Sequence, residues 1–222
     1  CRHDIPPPFC VFKLNLLMGY FTEGGAFRFR TKASMSESEI LHNQAENLLK
    51  ESKLIEKLSI FGKVKISGSF SYNLMTQPDI DIYVANINVK ETFKDILMSI
   101  VDDEIFKFGV FQNLLKKTKP NLPYGFYIGL NKKFDDVKFN VDVWVVNDLD
   151  EIYNKYPKKE VALINYLESE NVTKQEREVI LRLKKYKQDM NLPLKSFQIY
   201  DAVINHKIST TDDLDKLILA NS

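Results

Sequence analysis

Residues 67–84 read Ser67-Gly68-Ser69-Phe70-Ser71-Tyr72-Asn73-Leu74-Met75-Thr76-Gln77-Pro78-Asp79-Ile80-Asp81-Ile82-Tyr83-Val84, and how this stretch divides decides the fold. Its last six residues alternate as a half-buried strand does. Side chains on a strand point to opposite faces in turn, so Asp79 and Asp81 share one face while Ile80 and Ile82 take the other. Two neighbouring carboxylates repel each other unless a cation lies between them. Their oxygens suit the hard divalent cations Mg²⁺ and Mn²⁺. Upstream, Val64-Lys65-Ile66-Ser67 also alternates and runs into Gly68-Ser69. That turn offers backbone N–H groups and a hydroxyl, with no bulky side chain in the way, as a seat for phosphate oxygens.

A third acid stands in Phe139-Asn140-Val141-Asp142-Val143-Trp144-Val145-Val146, where Asp142 interrupts an apolar strand. A lone buried Asp would carry an uncompensated desolvation cost. Beside Asp79 and Asp81 it would complete a three-carboxylate cluster able to hold two cations about 3.5–4 Å apart, the arrangement that drives an in-line displacement at phosphorus. The bland alternative is an exposed strand residue, since the same parity puts Asn140 and Trp144 on its face.

Around this stretch the chain has two characters. Ser36 with Glu39 is a capping box. Helical spacing follows through Leu58, with a break near Ser52 and an end before Gly62. Glu91–Val101 reads as a helix and Glu104–Val110 as a strand. Gly125–Leu130 and Lys138–Val146 read as a hairpin around Asn131–Asp136, with Asp135 and Asp136 as turn residues. From there the pattern is helical over 162–167, 173–188, 196–205 and 211–219, with Pro193 as a breaker. The expectation is an α/β (α+β) catalytic core with a mixed sheet over residues 35–150, then a small helical subdomain over 151–222 closing over the ligand. Residues 1–34, with Pro6-Pro7-Pro8, Gly24-Gly25 and a basic stretch before Met35, read as a leader or extension outside that pattern.

The 222 residues are 44% hydrophobic, enough for a sizeable core. Lys and Arg number 31 against 30 Asp and Glu, a net charge of +1. No global basic field is therefore present to hold a polyanion, and a nucleic-acid partner would need a local patch. Cys1 and Cys10 are the two cysteines, which leaves no disulfide scaffold or zinc motif. The stretch Phe9–Phe21 is broken by Lys13 and Asn15 and is too short to span a bilayer. A cytoplasmic protein with no membrane partner is expected.

Gly68-Ser69, the ten-residue interval to Asp79, the Asp-x-Asp and the later Asp142 together resemble the DNA polymerase beta-type nucleotidyltransferase superfamily over roughly Ile66–Val146. The resemblance implies transfer of a nucleoside monophosphate from an NTP, ATP favoured, to an acceptor hydroxyl, with pyrophosphate release and Mg²⁺ or Mn²⁺ as cofactor. Asp79 and Asp81 would bind metal and triphosphate, Asp142 would bind metal and help deprotonate the acceptor, and Gly68 and Ser69 would grip the triphosphate. The tail, Ile180-Leu181-Arg182-Leu183-Lys184-Lys185-Tyr186 and then Leu194-Lys195-Ser196-Phe197, is similar to the poly(A) polymerase and oligoadenylate synthase-like branch. There Lys185 and Ser196 would contact the triphosphate. The chain departs from the superfamily pattern at Asn73-Leu74, where Thr commonly follows. A small-molecule acceptor is expected, ahead of an RNA 3′ end, a protein hydroxyl or a second NTP. A nucleotide-binding module without turnover is the rival from another class. Outside these motifs, the cluster Arg182–Lys187 is the one basic patch that RNA would find.

Overall fold

A computed structural model describes residues 35–102, 106, 108–115, 122–154, 156–169 and 171–220. The expected leader over 1–34 and the first part of the 104–110 strand lie outside the described residues. Ser36–Ser222 forms one compact unit.

Helix α1 (Glu37–Ser52) opens on the Ser36–Glu39 capping box. Lys53 then adopts a left-handed conformation, φ 51°, and separates α1 from α2 (Leu54–Ser59). That is the break anticipated near Ser52. Strand β1 (Lys63–Ser67) leads into the single-turn helix α3 (Gly68–Ser71), and β2 (Asp79–Ala85) into α4 (Val89–Val101). Strands β3 (Phe108–Asn113), β4 (Gly125–Phe134) and β5 (Val137–Val146) follow. The sheet order is β1-β2-β5-β4-β3. β2 and β5 run parallel at its centre and the other pairs are antiparallel, so the sheet is mixed.

Both hairpin strands run further than the alternation of the sequence indicated. Asp135 and Asp136 alone form the loop, at φ 45° and 66°, between the paired residues Phe134 and Val137. A two-residue loop with both φ values positive matches the twist of its strands, and Asp tolerates that conformation.

Ile80, Ile82 and Val84 on β2, with Phe139, Val141, Val143 and Val145 on β5, are fully buried against α1, α2 and α4. The opposite sheet face carries the acids. Beyond β5 come α5 (Glu151–Asn154), α6 (Lys158–Glu168), α7 (Lys174–Asp189), α8 (Ser196–Ile204) and α9 (Thr211–Ala220). Leu163, Leu167, Ile180, Leu183, Ile199 and Val203 form a second hydrophobic core among these helices, and Tyr72 and Leu74 insert into it from the loop ahead of β2. Among the described residues no helix is long and apolar enough to cross a membrane.

Candidate active site

The parallel β2–β5 pairing sets the acids side by side. Asp81 lies opposite Asp142 and Asp79 opposite Asn140. The Asn140 N–H donates to the Pro78 carbonyl at 2.9 Å, which extends the pairing one step past Asp79. All three carboxylates therefore lie on one face, level with the start of β2 and the middle of β5.

Two cavities meet at this end. The first is lined by Gly68, Ser69, Asp79 and Asp81 from the sheet side and by Tyr156, Ser196, Phe197 and Tyr200 from the helices. The second is lined by Asp79, Asp142, Tyr127, Gly129, Asn131 and Asn140. Asp79 borders both.

Gly68 is where the backbone turns from β1 toward the first cavity, at φ +75°. A Cβ there would sit 2.3 Å from Asp81 Oδ2, so glycine is required by both conformation and proximity. Ser67, Tyr72, Ser196 and Tyr200 also line this cavity, so hydroxyl-bearing residues sit among its aromatic and aliphatic walls. Tyr156 and Phe197 stack with centroids 5.8 Å apart. Ser196 is the first residue of α8, preceded by its N-cap Lys195, rather than the N-cap itself.

On the other side, the Tyr127 hydroxyl donates to Asp142 Oδ1 at 2.8 Å. Gly129 makes this possible, because a Cβ there would lie 2.5 Å from that hydroxyl oxygen. Tyr127, on β4, is a site residue that motif reasoning passed over. Its position two residues before Gly129, on the strand facing Asp142, was the available signal.

The electrostatics are those of acids short of positive charge. Burial, then the nearby Asp142 carboxylate, pushes Asp79 up to about 6, and Lys184 partly opposes the shift. Burial also raises Asp142, against the Tyr127 hydrogen bond. Among the described residues no three His, Cys, Asp or Glu side chains converge as a ready metal-holding group. The anticipated cluster is thus aligned by the strands but not closed: Asp81 packs against Gly68 and Asp142 is held by Tyr127. An oxygen-only donor set with mutually repelling members fits a hard divalent cation.

Lys185 stands apart from the other anticipated residues. It is exposed, pairs with Asp189 at 3.0 Å, and borders a different groove beside the start of α1. Its neighbour Lys184 is 4% exposed, donates to the Leu74 carbonyl and to the Tyr200 hydroxyl at 3.2 Å, and burial brings it down to about 8. The reason is helical phase: Val179, Ile180, Leu183 and Lys184 form the buried stripe of α7, and Lys185 is rotated about 100° away from Lys184.

No protein-family model matches the chain, and no curated protein matches it. Solved structures do match its fold. A cytoplasmic RNA terminal U-transferase superposes with a TM-score of 0.52 at 16% identity, over 78% of this chain and 50% of that one. Cid1, described as having RNA terminal uridylyl transferase activity, gives 0.54 at 17% identity, over 78% of this chain and 48% of its own. A Cid1 poly(U) polymerase mutant bound to MgATP gives 0.52 at 13% identity, over 78% and 52%. At these identities the likeness is one of fold. The chain spans about half the length of these neighbours.

Proposed function

We propose that the protein is a divalent-metal-dependent nucleotidyltransferase that moves a nucleoside monophosphate from an NTP to the 3′ hydroxyl of an RNA. The observation that carries this reading is Asp79, which borders both cavities beside Asp81 and Asp142. A group that must be handed from one ligand to another is best held where two binding sites meet. The first cavity takes the NTP, with Gly68, Ser69 and Ser196 toward the triphosphate and the Tyr156–Phe197 pair beside the base. The second takes the acceptor.

In the transfer, the acceptor oxygen forms a bond to the α-phosphorus as the bond to the pyrophosphate oxygen breaks. The hydroxyl proton leaves toward Asp142, whose Oδ2 remains when Tyr127 occupies Oδ1. Asp79, Asp81 and Asp142 are the residues that would hold Mg²⁺ or Mn²⁺, which supplies Lewis-acid charge for the phosphoryl oxygens and the leaving group. The protein's own part is positioning: strand register sets the acids, and Gly68 and Tyr127 fix two of them.

An RNA acceptor replaces the small molecule expected from chain length and charge balance. RNA terminal transfer by the structural neighbours supports it, as does an acceptor cavity floored by amide side chains, Asn131 and Asn140. The test is extension of an end-labelled oligoribonucleotide with each of the four NTPs and Mg²⁺ or Mn²⁺, with pyrophosphate release followed in parallel. Metal-dependent product lost in Asp79→Asn with Asp81→Asn is the expected result. Pyrophosphate release with an unextended oligonucleotide would return the acceptor to a small molecule or a protein.

A further inference from the structure

The β4–β5 hairpin, among the described residues, reaches past its neighbours at the catalytic end of the sheet. Among the described residues, pairing with β2 begins at Asp79 opposite Asn140, and pairing with β3 ends at Phe108 opposite Asn131. Three further pairs project beyond: Lys132 with Phe139, Lys133 with Lys138, and Phe134 with Val137. The projection is anchored, because Phe139 is fully buried and Phe134 and Val137 pack on the main core.

Strand parity orders what the other face presents. Reading outward from the acid, the cross-strand pairs are Gly129 with Asp142, Asn131 with Asn140, and Lys133 with Lys138. Each step is two residues, about 7 Å along a strand, so the lysine pair lies about 14 Å from the row of Asp142. Lys133 and Lys138 are both exposed. Like charges directly opposite each other in a sheet are unfavourable. Asp136 offsets the pair from the hairpin loop, at 2.7 Å from Lys133, in an ion pair largely open to water and therefore weak. An anion seated between the two ammonium groups would relieve the rest.

We propose, on the RNA-terminal reading above, that this hairpin face is the track for the acceptor strand. The 3′ hydroxyl lies at Asp142, Asn131 and Asn140 hydrogen-bond the terminal nucleotide, and the Lys133–Lys138 pair holds a phosphate further back. In the basic cluster on α7, by contrast, Lys184 is buried and the Arg182 guanidinium donates to the Ser209 carbonyl.

The test compares wild type with Lys133→Ser/Lys138→Ser, with the charge-retaining Lys133→Arg/Lys138→Arg, and with Lys50→Ser/Lys63→Ser as a charge-matched control away from the track. Fluorescence anisotropy with a labelled oligoadenylate of about 15 nucleotides reads binding without turnover. The Ser pair is expected to weaken Kd about tenfold and to flatten the salt dependence by about 0.7 in slope, the value for one phosphate, with the Arg pair and the control near wild type. The ratio of kcat/KM for the oligonucleotide over that for the dinucleotide ApA should fall in the Ser pair alone. Wild-type affinity and slope in the Ser pair would overturn the track and leave the terminal-transferase reading standing. A wild type that neither binds nor extends the oligonucleotide would overturn both.

Discussion

Gly68 is constrained twice over, because its φ of +75° and the closeness of Asp81 Oδ2 both exclude a side chain. Gly68→Ala is expected to lower stability by about 1 kcal/mol through the left-handed backbone. It should also cut kcat/KM about 10²-fold by displacing Asp81, since small misplacements at a reacting centre cost that much. Thermal melting beside steady-state transfer separates the two effects, and a stable, fully active alanine variant would remove the geometric argument. Asp79 makes a different prediction. Its carboxyl ordinarily titrates near 3.8 and is raised to about 6 here, first by burial and then by Asp142. Between those values the metal-free fold holds a proton that the unfolded chain releases. The stability contribution is therefore full below about pH 4 and is lost as pH rises through about 6. In EDTA, Asp79→Asn should melt higher than wild type at pH 7, with the gap closing toward pH 4. Mg²⁺ should stabilise wild type more at pH 7 than at pH 5, and calorimetry across that range checks both. At this scale the acids were readable because alternation and spacing belong to the sequence itself. Tyr127 was not, because its role depends on strand β4 lying beside β5 with Gly129 vacating the space between.

Helix α7 shows what one element does for the site. Arg177 donates to the Tyr72 carbonyl, Lys184 to the Leu74 carbonyl and Gln188 to the Thr76 hydroxyl, so one face of the helix holds the loop that carries the chain from Gly68 to Asp79. Lys184 also opposes the rise in the Asp79 carboxyl. Lys184→Met is expected to leave the buried Leu74 carbonyl unpaired, a cost of about 1–3 kcal/mol, and to lower kcat/KM for the NTP at least tenfold by loosening the loop. Lys185→Met removes only a solvent-exposed pair with Asp189, of the kind that contributes little. Its Tm and KM for the NTP should stay near wild type. The opposite ranking of the two lysines, by melting and NTP kinetics, would restore Lys185 to the triphosphate. The capping boxes at Ser36 and Thr173 and the break after Ser52 were legible as local signals. The choice between adjacent lysines was not legible from motif likeness, although Lys184 falls four residues after Ile180, on its face. The hairpin's length escaped too, because Asn131, Lys132 and Lys133 are polar residues that parity, rather than composition, keeps in a strand.

Across the whole molecule, the first cavity is walled by residues of two separate hydrophobic clusters: Tyr83 and Ile152 come from the one on the acid-bearing side of the sheet, and Tyr72, Ile164, Leu167 and Tyr200 from the one among α6–α9. Tyr72 and Leu74 already tie the loop before β2 into the helical core. Lys65 on β1 meets Glu168 on α6 at 3.0 Å and bonds the Tyr153 hydroxyl as well, which closes the same junction from the sheet side. A nucleotide seated between Gly68 and Ser196 would touch both bodies, so its binding energy would act on the junction as well as on either core. An NTP with Mg²⁺ at about 100 times its Kd should therefore stabilise the fold by about 2.7 kcal/mol, the amount set by mass action. Both cores should melt in one shifted transition, and hydrogen exchange should slow in α8 and α9 as well as near Asp79 and Asp81, although α9 lines neither cavity. Asp79→Asn with Asp81→Asn should abolish the shift produced by the metal–nucleotide complex. If protection rose in the sheet alone while the helices exchanged as before, the helical half would not close on the nucleotide, and Ser196 and Phe197 would lose their place in the site.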